Sequence, residues 1–225
     1  MNKTPAGRAH GRSEAGPHPL GGSAGVPDGR GADISHLLYL HGFRSSPQSM
    51  KARKVAAWMQ AHRPDVHWWC PQLPPSPREA MRLVFDGIAA WPHDRMAVVG
   101  SSLGGFYATA VAEATGCRAV LLNPAVYPAR DLAAYIGEQT SWHDPADRFF
   151  FRPGFVDELQ ALAVPALTRP ERYFAVIAKG DEVLDWREMS SRHAGANIKL
   201  LEGSDHALSD FDEHLPDVLK FLHLA

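Results

Sequence analysis

The chain has 225 residues, enough for one domain with a sizeable hydrophobic core. Hydrophobic residues make up 45% and charged residues 21%, with a formal net charge of −2 and no long basic run, so nucleic acid is not expected as a partner. No run approaches the roughly 20 apolar residues of a membrane span, and the first residues lack the apolar core of a secretory signal. We therefore expect a cytoplasmic protein.

Residues 1–33 have the composition of a disordered tail. They hold 8 of the 19 glycines, and their only large aliphatic side chains are Leu20 and Val26. Such a segment cannot bury enough apolar surface to offset the entropy lost on ordering. We therefore predict a disordered tail over 1–33 and a single domain over 34–225.

From Ile34 onward, apolar runs of strand length alternate with helical patterns. Strands are predicted at 34–42, 66–71, 96–100, 118–122, 173–178 and 198–201, and helices at 49–62, 79–91, 103–115 and 211–222. This alternation is typical of parallel βαβ units, in which helices cover both faces of a mostly parallel sheet. The alternation breaks at 127–170, which is too long for a simple connection and is predicted to form a small helical, cap-like insertion over the sheet.

The segment Gly100-Ser101-Ser102-Leu103-Gly104 matches G-x-S-x-G, the pattern of a nucleophile elbow. That turn places a serine between a strand and a helix that approach so closely that only glycine fits two residues to either side. The apolar run before it and the helical pattern after it supply both elements. The segment has neither the GxGxxG spacing nor the Gly-Lys-Ser/Thr of a P-loop, which disfavours nucleotide binding. Ser102 is therefore the predicted nucleophile.

A serine nucleophile needs a base, and the base needs an acid that orients it. His206 follows the last predicted strand, at the sheet edge where Ser102 is also expected, and is the predicted base. Asp181 follows the strand at 173–178 and is the predicted acid. Asp185 is the alternative acid, although its spacing to Glu188 favours a helix cap.

The oxyanion formed during acyl transfer needs two converging N–H donors. One is expected from Leu103, at the start of the helix that follows the nucleophile. The other is expected from Phe43, because the small Gly42 lets the loop after the first strand approach the site. His41, just before that glycine, is interpreted as structural.

Five ordered motifs resemble the YqiA-type esterases, a group of small α/β-hydrolases. They are YLHGFRSSPQSMKA, GSSLGGFYAT, LNPAVYP, GDEVLD and GSDHALSDF, and the resemblance runs from Leu37 to the C-terminus. It implies the α/β-hydrolase fold, hydrolysis of small-molecule esters or thioesters, no cofactor and no large lid, so the helical insertion predicted at 127–170, after the sixth-strand region, is expected to be small. By position, the family's nucleophile, acid and base fall on Ser102, Asp181 and His206.

Two other functions remain open from the sequence. An acyl-CoA thioesterase or acyltransferase would use the same three residues, and a cationic patch of Lys51, Arg53 and Lys54 could bind the nucleotide phosphates, although a solvated helix face is the preferred interpretation of those three. A non-catalytic binding protein on the same fold is the other alternative.

Some residues are predicted to have no chemical role. The two cysteines, Cys70 and Cys117, lie at the edges of apolar runs and lack zinc-ligand spacing, so buried thiols and no metal are expected. His193, His214 and His223 fall in or beside helices and are predicted to lie on the surface.

Overall fold

The computed structural model describes residues 33–142, 144 and 146–225, and the predicted tail, apart from Asp33, lies outside them. In chain order the strands are β1 His36–Leu40, β2 His67–Trp69, β3 Met96–Ser101, β4 Arg118–Leu122, β5 Gly137–Thr140, β6 Arg148–Phe151, β7 Tyr173–Ala178 and β8 Asn197–Leu201. The helices are α1 Met50–His62, α2 Pro77–Ile88, α3 Leu103–Thr115, α4 Pro128–Leu132, α5 Pro153–Ala161, α6 Trp186–Arg192 and α7 Phe211–Phe221.

Six of these strands form one parallel sheet in the order β2-β1-β3-β4-β7-β8. The chain runs outward from β1 to β2 and then returns to the other side of β1 to form β3. Leu40 is paired with Gly100 across β1 and β3. The loop after β1 and the turn after β3 therefore leave the sheet side by side, at the carboxyl edge where parallel sheets place their ligands.

Two apolar cores lie on the two faces of this sheet. Along β1, Leu38 and Leu40 contribute to one core, and Leu37 and Tyr39 contribute to the other, because successive side chains of a strand point to opposite faces. The first core contains the inner sides of α2 and α3, and the second contains those of α1 and α7. Helices thus cover both faces of the sheet, as the alternating pattern predicted. Within the described ranges, no helix is long and apolar enough to cross a membrane.

The insertion at 127–170 is not purely helical, so that part of the prediction is wrong. Between α4 and α5 it contains an antiparallel hairpin of β5 and β6, in which Gly137 pairs with Phe151. The side chains of β6 alternate, because Phe151 is buried while Phe150 is 54% exposed. Aromatic residues favour such a half-buried strand, but four residues are too few for a clear periodic pattern.

Two of the three histidines predicted to lie on the surface are buried. His193 is 2% exposed at the end of α6, where its Nδ1 donates to the Met189 carbonyl, and burial lowers the pKa of this histidine. His214 is 6% exposed, because it lies on the inner side of α7 with Leu215 and Val218. His223 is exposed, as predicted.

Candidate active site

Ser102 lies in a strained turn between β3 and α3. Its φ is 55° and its ψ is −122°, a conformation that a residue with a side chain rarely adopts. A Cβ on Gly100 would lie 2.2 Å from the Gly104 carbonyl oxygen, and a Cβ on Gly104 would lie 1.9 Å from the Leu40 carbonyl oxygen. Gly100 therefore allows β3 and α3 to approach each other beneath the serine, and Gly104 allows α3 to approach β1.

Ser102, His206 and Asp181 lie in one series of hydrogen bonds. The Ser102 hydroxyl donates to His206 Nε2 over 3.0 Å, and His206 Nδ1 donates to Asp181 Oδ2 over 2.7 Å. The Asp181 side chain is fully buried, and its Oδ1 accepts from the N–H groups of Val183 and Leu184, both over 2.8 Å. The carboxylate is thus held on one side by backbone and faces the imidazole on the other.

Asp185, the alternative acid, lies elsewhere. It is the residue before α6, and its Oδ1 accepts from the Arg187 N–H over 2.8 Å. The structure therefore brings Asp181 to His206, and Asp185 caps a helix.

Contacts from other parts of the chain hold the loop that carries His206. Glu182 Oε2 accepts from the His206 N–H over 2.9 Å, and Asn123 Nδ2 donates to the carbonyls of Asp205 and His206 over 3.0 and 3.2 Å. Lys51 Nζ donates to the Ala207 carbonyl. The position of the imidazole thus depends on residues that the sequence analysis did not place near it.

Asn123, the residue after β4, is a junction between three segments. It is 1% exposed, and besides its contacts to the His206 loop its Oδ1 accepts from the Ala178 N–H at the end of β7 over 2.8 Å. Its φ is 42°, in the left-handed region that asparagine tolerates better than most residues. An Asn-Pro pair directly after a predicted strand was the signal in the sequence that could have identified it.

We expect Asn123→Gly to lower the free energy of unfolding by about 2 kcal/mol, because buried hydrogen-bonding groups lose their partners. Asn123→Ala should lower it by about 1 kcal/mol more, since alanine is strained at positive φ and glycine is not. Denaturant unfolding of both variants measures the contribution of the lost hydrogen bonds and that of the backbone strain. Equal stability of the two variants would contradict the assigned backbone strain.

The loop after β1 lies directly against Ser102. A Cβ on Gly42 would be 3.2 Å from the Ser102 Cβ, and the next residue, Phe43, lines a cavity with Ser102, Leu103 and His206. His41 is 3% exposed, and its Nε2 accepts from the Leu73 N–H over 3.1 Å while its Nδ1 donates to the Gly42 carbonyl over 3.0 Å. These contacts fit the structural role expected of His41.

Arg44 joins this loop to the hairpin of the insertion. Its Nε donates to the Thr140 carbonyl over 2.7 Å, and its own carbonyl accepts from the Trp142 N–H over 2.7 Å. The guanidinium carbon also lies 4.2 Å from the centre of the Trp142 ring, at cation–π distance. Phe43 packs against Phe149 and Phe151 of the same hairpin.

Two cavities meet at Ser102 and His206. The first, of about 400 Å³, is mainly apolar, and much of its wall comes from the insertion: Pro128, Asp131, Leu132, Tyr135 and Trp142. The second, of about 390 Å³, lies toward the start of α1, and its lining is also mainly apolar but includes Ser45, Ser49, Lys51 and Glu182. An extended molecule could therefore cross Ser102 with one end in each cavity.

The cationic patch that binding of coenzyme A would need is not formed on α1. Lys51 is only 9% exposed, so its interpretation as part of a solvated helix face is wrong. Arg53 is exposed, and Lys54 is paired with Asp212 of α7. Lys51 faces inward because it lies one turn before the buried Val55, on the same face of α1.

Both cysteines are free thiols away from Ser102. Burial raises the pKa of Cys70 to about 12 and that of Cys117 to about 11, so neither is a reactive thiolate near neutral pH. Over the ranges that the structure covers, no group of three or more histidine, cysteine or acidic residues could hold a metal ion.

Comparisons with known proteins agree with this architecture. The profile of an uncharacterised protein family (UPF0227) matches residues 36–223. A UPF0227 protein of Yersinia pseudotuberculosis is 24% identical over 194 residues, which are 84% of this chain and 99% of the relative.

Among solved structures, the mouse alpha/beta hydrolase domain-containing protein 10 is similar, with a TM-score of 0.62 and 15% identity over 83% of this chain and 90% of that one. A chain from the study of the metagenome-derived lipolytic enzymes LipS and LipT has a TM-score of 0.64 and 18% identity, over 86% of this chain and 96% of that one. These likenesses confirm the predicted α/β-hydrolase fold.

Proposed function

The chain belongs to the uncharacterised protein family UPF0227, and from that membership and the geometry at Ser102 we propose that it is a serine esterase. The observation that carries this proposal is the hydrogen-bonded series of Ser102, His206 and Asp181, with 3.0 Å between the first pair and 2.7 Å between the second. The order of these residues along the chain is nucleophile, acid, base, as in other α/β-hydrolases.

In the proposed reaction, Ser102 Oγ attacks the carbonyl carbon of an ester and His206 Nε2 takes the hydroxyl proton. Asp181 keeps the Nδ1 proton of His206 directed toward itself, so that Nε2 is free to act as the base. His206 then donates the proton to the leaving alcohol, and the acyl group stays on Ser102. Water, activated by the same histidine, hydrolyses this acyl-enzyme and restores the serine.

The N–H groups of Phe43 and Leu103 are the proposed donors to the oxyanion. Leu103 N–H is at the start of α3, where the helix dipole also favours negative charge. Phe43 N–H is next to Gly42, whose backbone lies against Ser102. Arg44 and the aromatic contacts of Phe43 attach this loop to the insertion, and this attachment would hold the Phe43 N–H in place before the substrate binds.

We place the acyl group in the cavity walled by the insertion, where Pro128, Leu132 and Tyr135 offer apolar contacts, and the leaving group in the cavity toward α1. Transfer of acyl groups from coenzyme A is the weaker alternative, because the burial of Lys51 and the pairing of Lys54 remove two of the three cations that would contact its phosphates. A thioester with a small leaving group remains within the proposal.

The test is hydrolysis of p-nitrophenyl esters with acyl chains from acetyl to palmitoyl, followed by labelling with a fluorophosphonate. We expect turnover of at least one ester, with the preferred chain length measuring the cavity walled by the insertion. The fluorophosphonate should abolish turnover and form one adduct, located by mass spectrometry on the peptide that contains Ser102. A protein that neither hydrolyses any ester nor reacts with the probe would be a binding protein, and the proposal would be overturned.

A further inference from the structure

Lys51 is a buried cation beside the candidate site. It lies in the first turn of α1, only 9% of it is exposed, and it lines the cavity toward the start of α1 together with Ser102 and His206. Within the described residues, no carboxylate lies within ion-pair distance of its ammonium group. A buried charge without such a partner is costly to the fold, and an apolar side chain in its place would often be neutral or stabilising.

The ammonium group contacts the backbone next to the candidate base. Lys51 Nζ donates to the carbonyl of Ala207, the residue that follows His206. Asn123 and Glu182 hold the same loop at Asp205 and His206, so Lys51 adds the contact on the other side of the histidine. Among these side-chain contacts, that of Lys51 is the one that reaches the residue after the histidine.

We propose that Lys51 is a positioning residue, whose charged ammonium group holds the Ala207 carbonyl and so keeps His206 Nε2 at hydrogen-bond distance from Ser102. This inference rests on the proposed function, because it matters only if His206 acts as the base for Ser102. Lys51 acts through the loop and does not itself contact the reacting atoms.

The surroundings of Lys51 bias its protonation in two directions. Burial lowers the pKa of Lys51 to about 8, and the charges of Asp205 and Asp181 oppose that change. Six other titratable side chains surround the same space. Asp205 and His206 belong to the His206 loop, and Asp181 and Glu182 to the loop after β7. Tyr39 lies in β1 and His41 follows it.

Loss of the Lys51 proton leaves a neutral amine, which is a weaker donor to the Ala207 carbonyl. As the pH rises through the pKa of Lys51, the loop should therefore loosen and the reactivity of Ser102 should fall. The alkaline side of the pH profile thus reports on Lys51.

The experiment compares Lys51→Met, Lys51→Arg and the wild-type protein by the rate of fluorophosphonate labelling of Ser102 between about pH 6 and about pH 10. Arg53→Met, which removes an exposed cation two residues away on the same helix, is the matched control. Thermal unfolding of each variant verifies the fold, and Lys51→Met should unfold at an equal or higher temperature.

We expect wild type and Arg53→Met to label at equal rates, with a fall at alkaline pH. Lys51→Met should label about 10- to 100-fold more slowly at neutral pH, because the base is misplaced, and should lack the alkaline fall. Lys51→Arg should recover part of the rate without the alkaline fall, since arginine keeps its charge over this range.

Equal rates and identical pH profiles for Lys51→Met and wild type would overturn the role of Lys51 and leave the proposed function intact. Absence of Ser102 labelling in the wild-type protein would overturn the proposed function and this inference with it.

Discussion

Replacing Ser102 by alanine is expected to lower kcat for the best ester substrate by about 10⁴-fold or more, because the nucleophile is lost and only the oxyanion donors and substrate binding remain. The change removes one oxygen and one hydrogen bond to His206, so the free energy of unfolding should change by no more than about 1 kcal/mol. Ester hydrolysis and denaturant unfolding of the same preparation measure the two effects.

The neighbouring Ser101 offers a matched control, since Ser101→Ala removes the same atom one residue away at the end of β3. That variant should keep most of the wild-type rate. A double variant, Ser102→Ala with His206→Ala, should be no slower than Ser102→Ala alone, because the two residues act as a unit. Comparable turnover in Ser102→Ala and wild type would eliminate Ser102 as the nucleophile.

A second large effect is expected for Gly104→Ala. The new Cβ would lie 1.9 Å from the oxygen and 2.5 Å from the carbon of the Leu40 carbonyl, and β1 is an inner strand that cannot retreat. We expect the free energy of unfolding to fall by about 3 kcal/mol or more. The folded fraction should also lose activity, about 100-fold, because Leu40 leads directly into the loop that carries Phe43.

Gly154→Ala is the control for this substitution. Gly154 lies in α5, and a Cβ built on it meets no atom within 4 Å. Alanine there should leave stability unchanged or raise it by up to about 1 kcal/mol, because glycine is the poorer helix former. If Gly104→Ala were as stable as Gly154→Ala, the close approach of α3 to β1 would be contradicted.

The elements around Ser102 could be predicted from the sequence almost to the residue. The helix expected at 103–115 is α3, and the strand expected at 118–122 is β4. These segments are apolar and Gly116 lies between them, so the hydrophobic pattern decides their type and the glycine marks the end of the helix. The family match also confirms the resemblance to the YqiA-type esterases, which rested on short motifs in a fixed order.

The hairpin of β5 and β6 could not be predicted in the same way. Its strands are four residues long, and their stability comes from the packing of Phe149 and Phe151 on Phe43, which lies about a hundred residues earlier in the chain. Such a long-range contact leaves no local period in the sequence.

Lys51 is predicted to lie on a solvated helix face and Asn123 is given no role, because residue type suggests the opposite of their environment. Lysine is rarely buried and asparagine is common in exposed turns, so pattern alone assigns both to the surface. Both side chains are buried because the loop after β8 folds over the ends of β4 and β7. The backbone carbonyls of that loop need hydrogen-bond donors, and Lys51 and Asn123 supply them.

The edge position of β8 determines when the site can be completed during folding. Ser102 follows β3 in the middle of the sheet, whereas His206 follows β8 at its edge, 104 residues later in the chain. The two side chains meet only after the late strands have joined β4, and contacts of such long sequence separation form slowly. A chain whose central strands had formed without β8 would present the proposed nucleophile without the proposed base, so under the proposed function the onset of ester hydrolysis during refolding would signal that the last strand has joined the sheet.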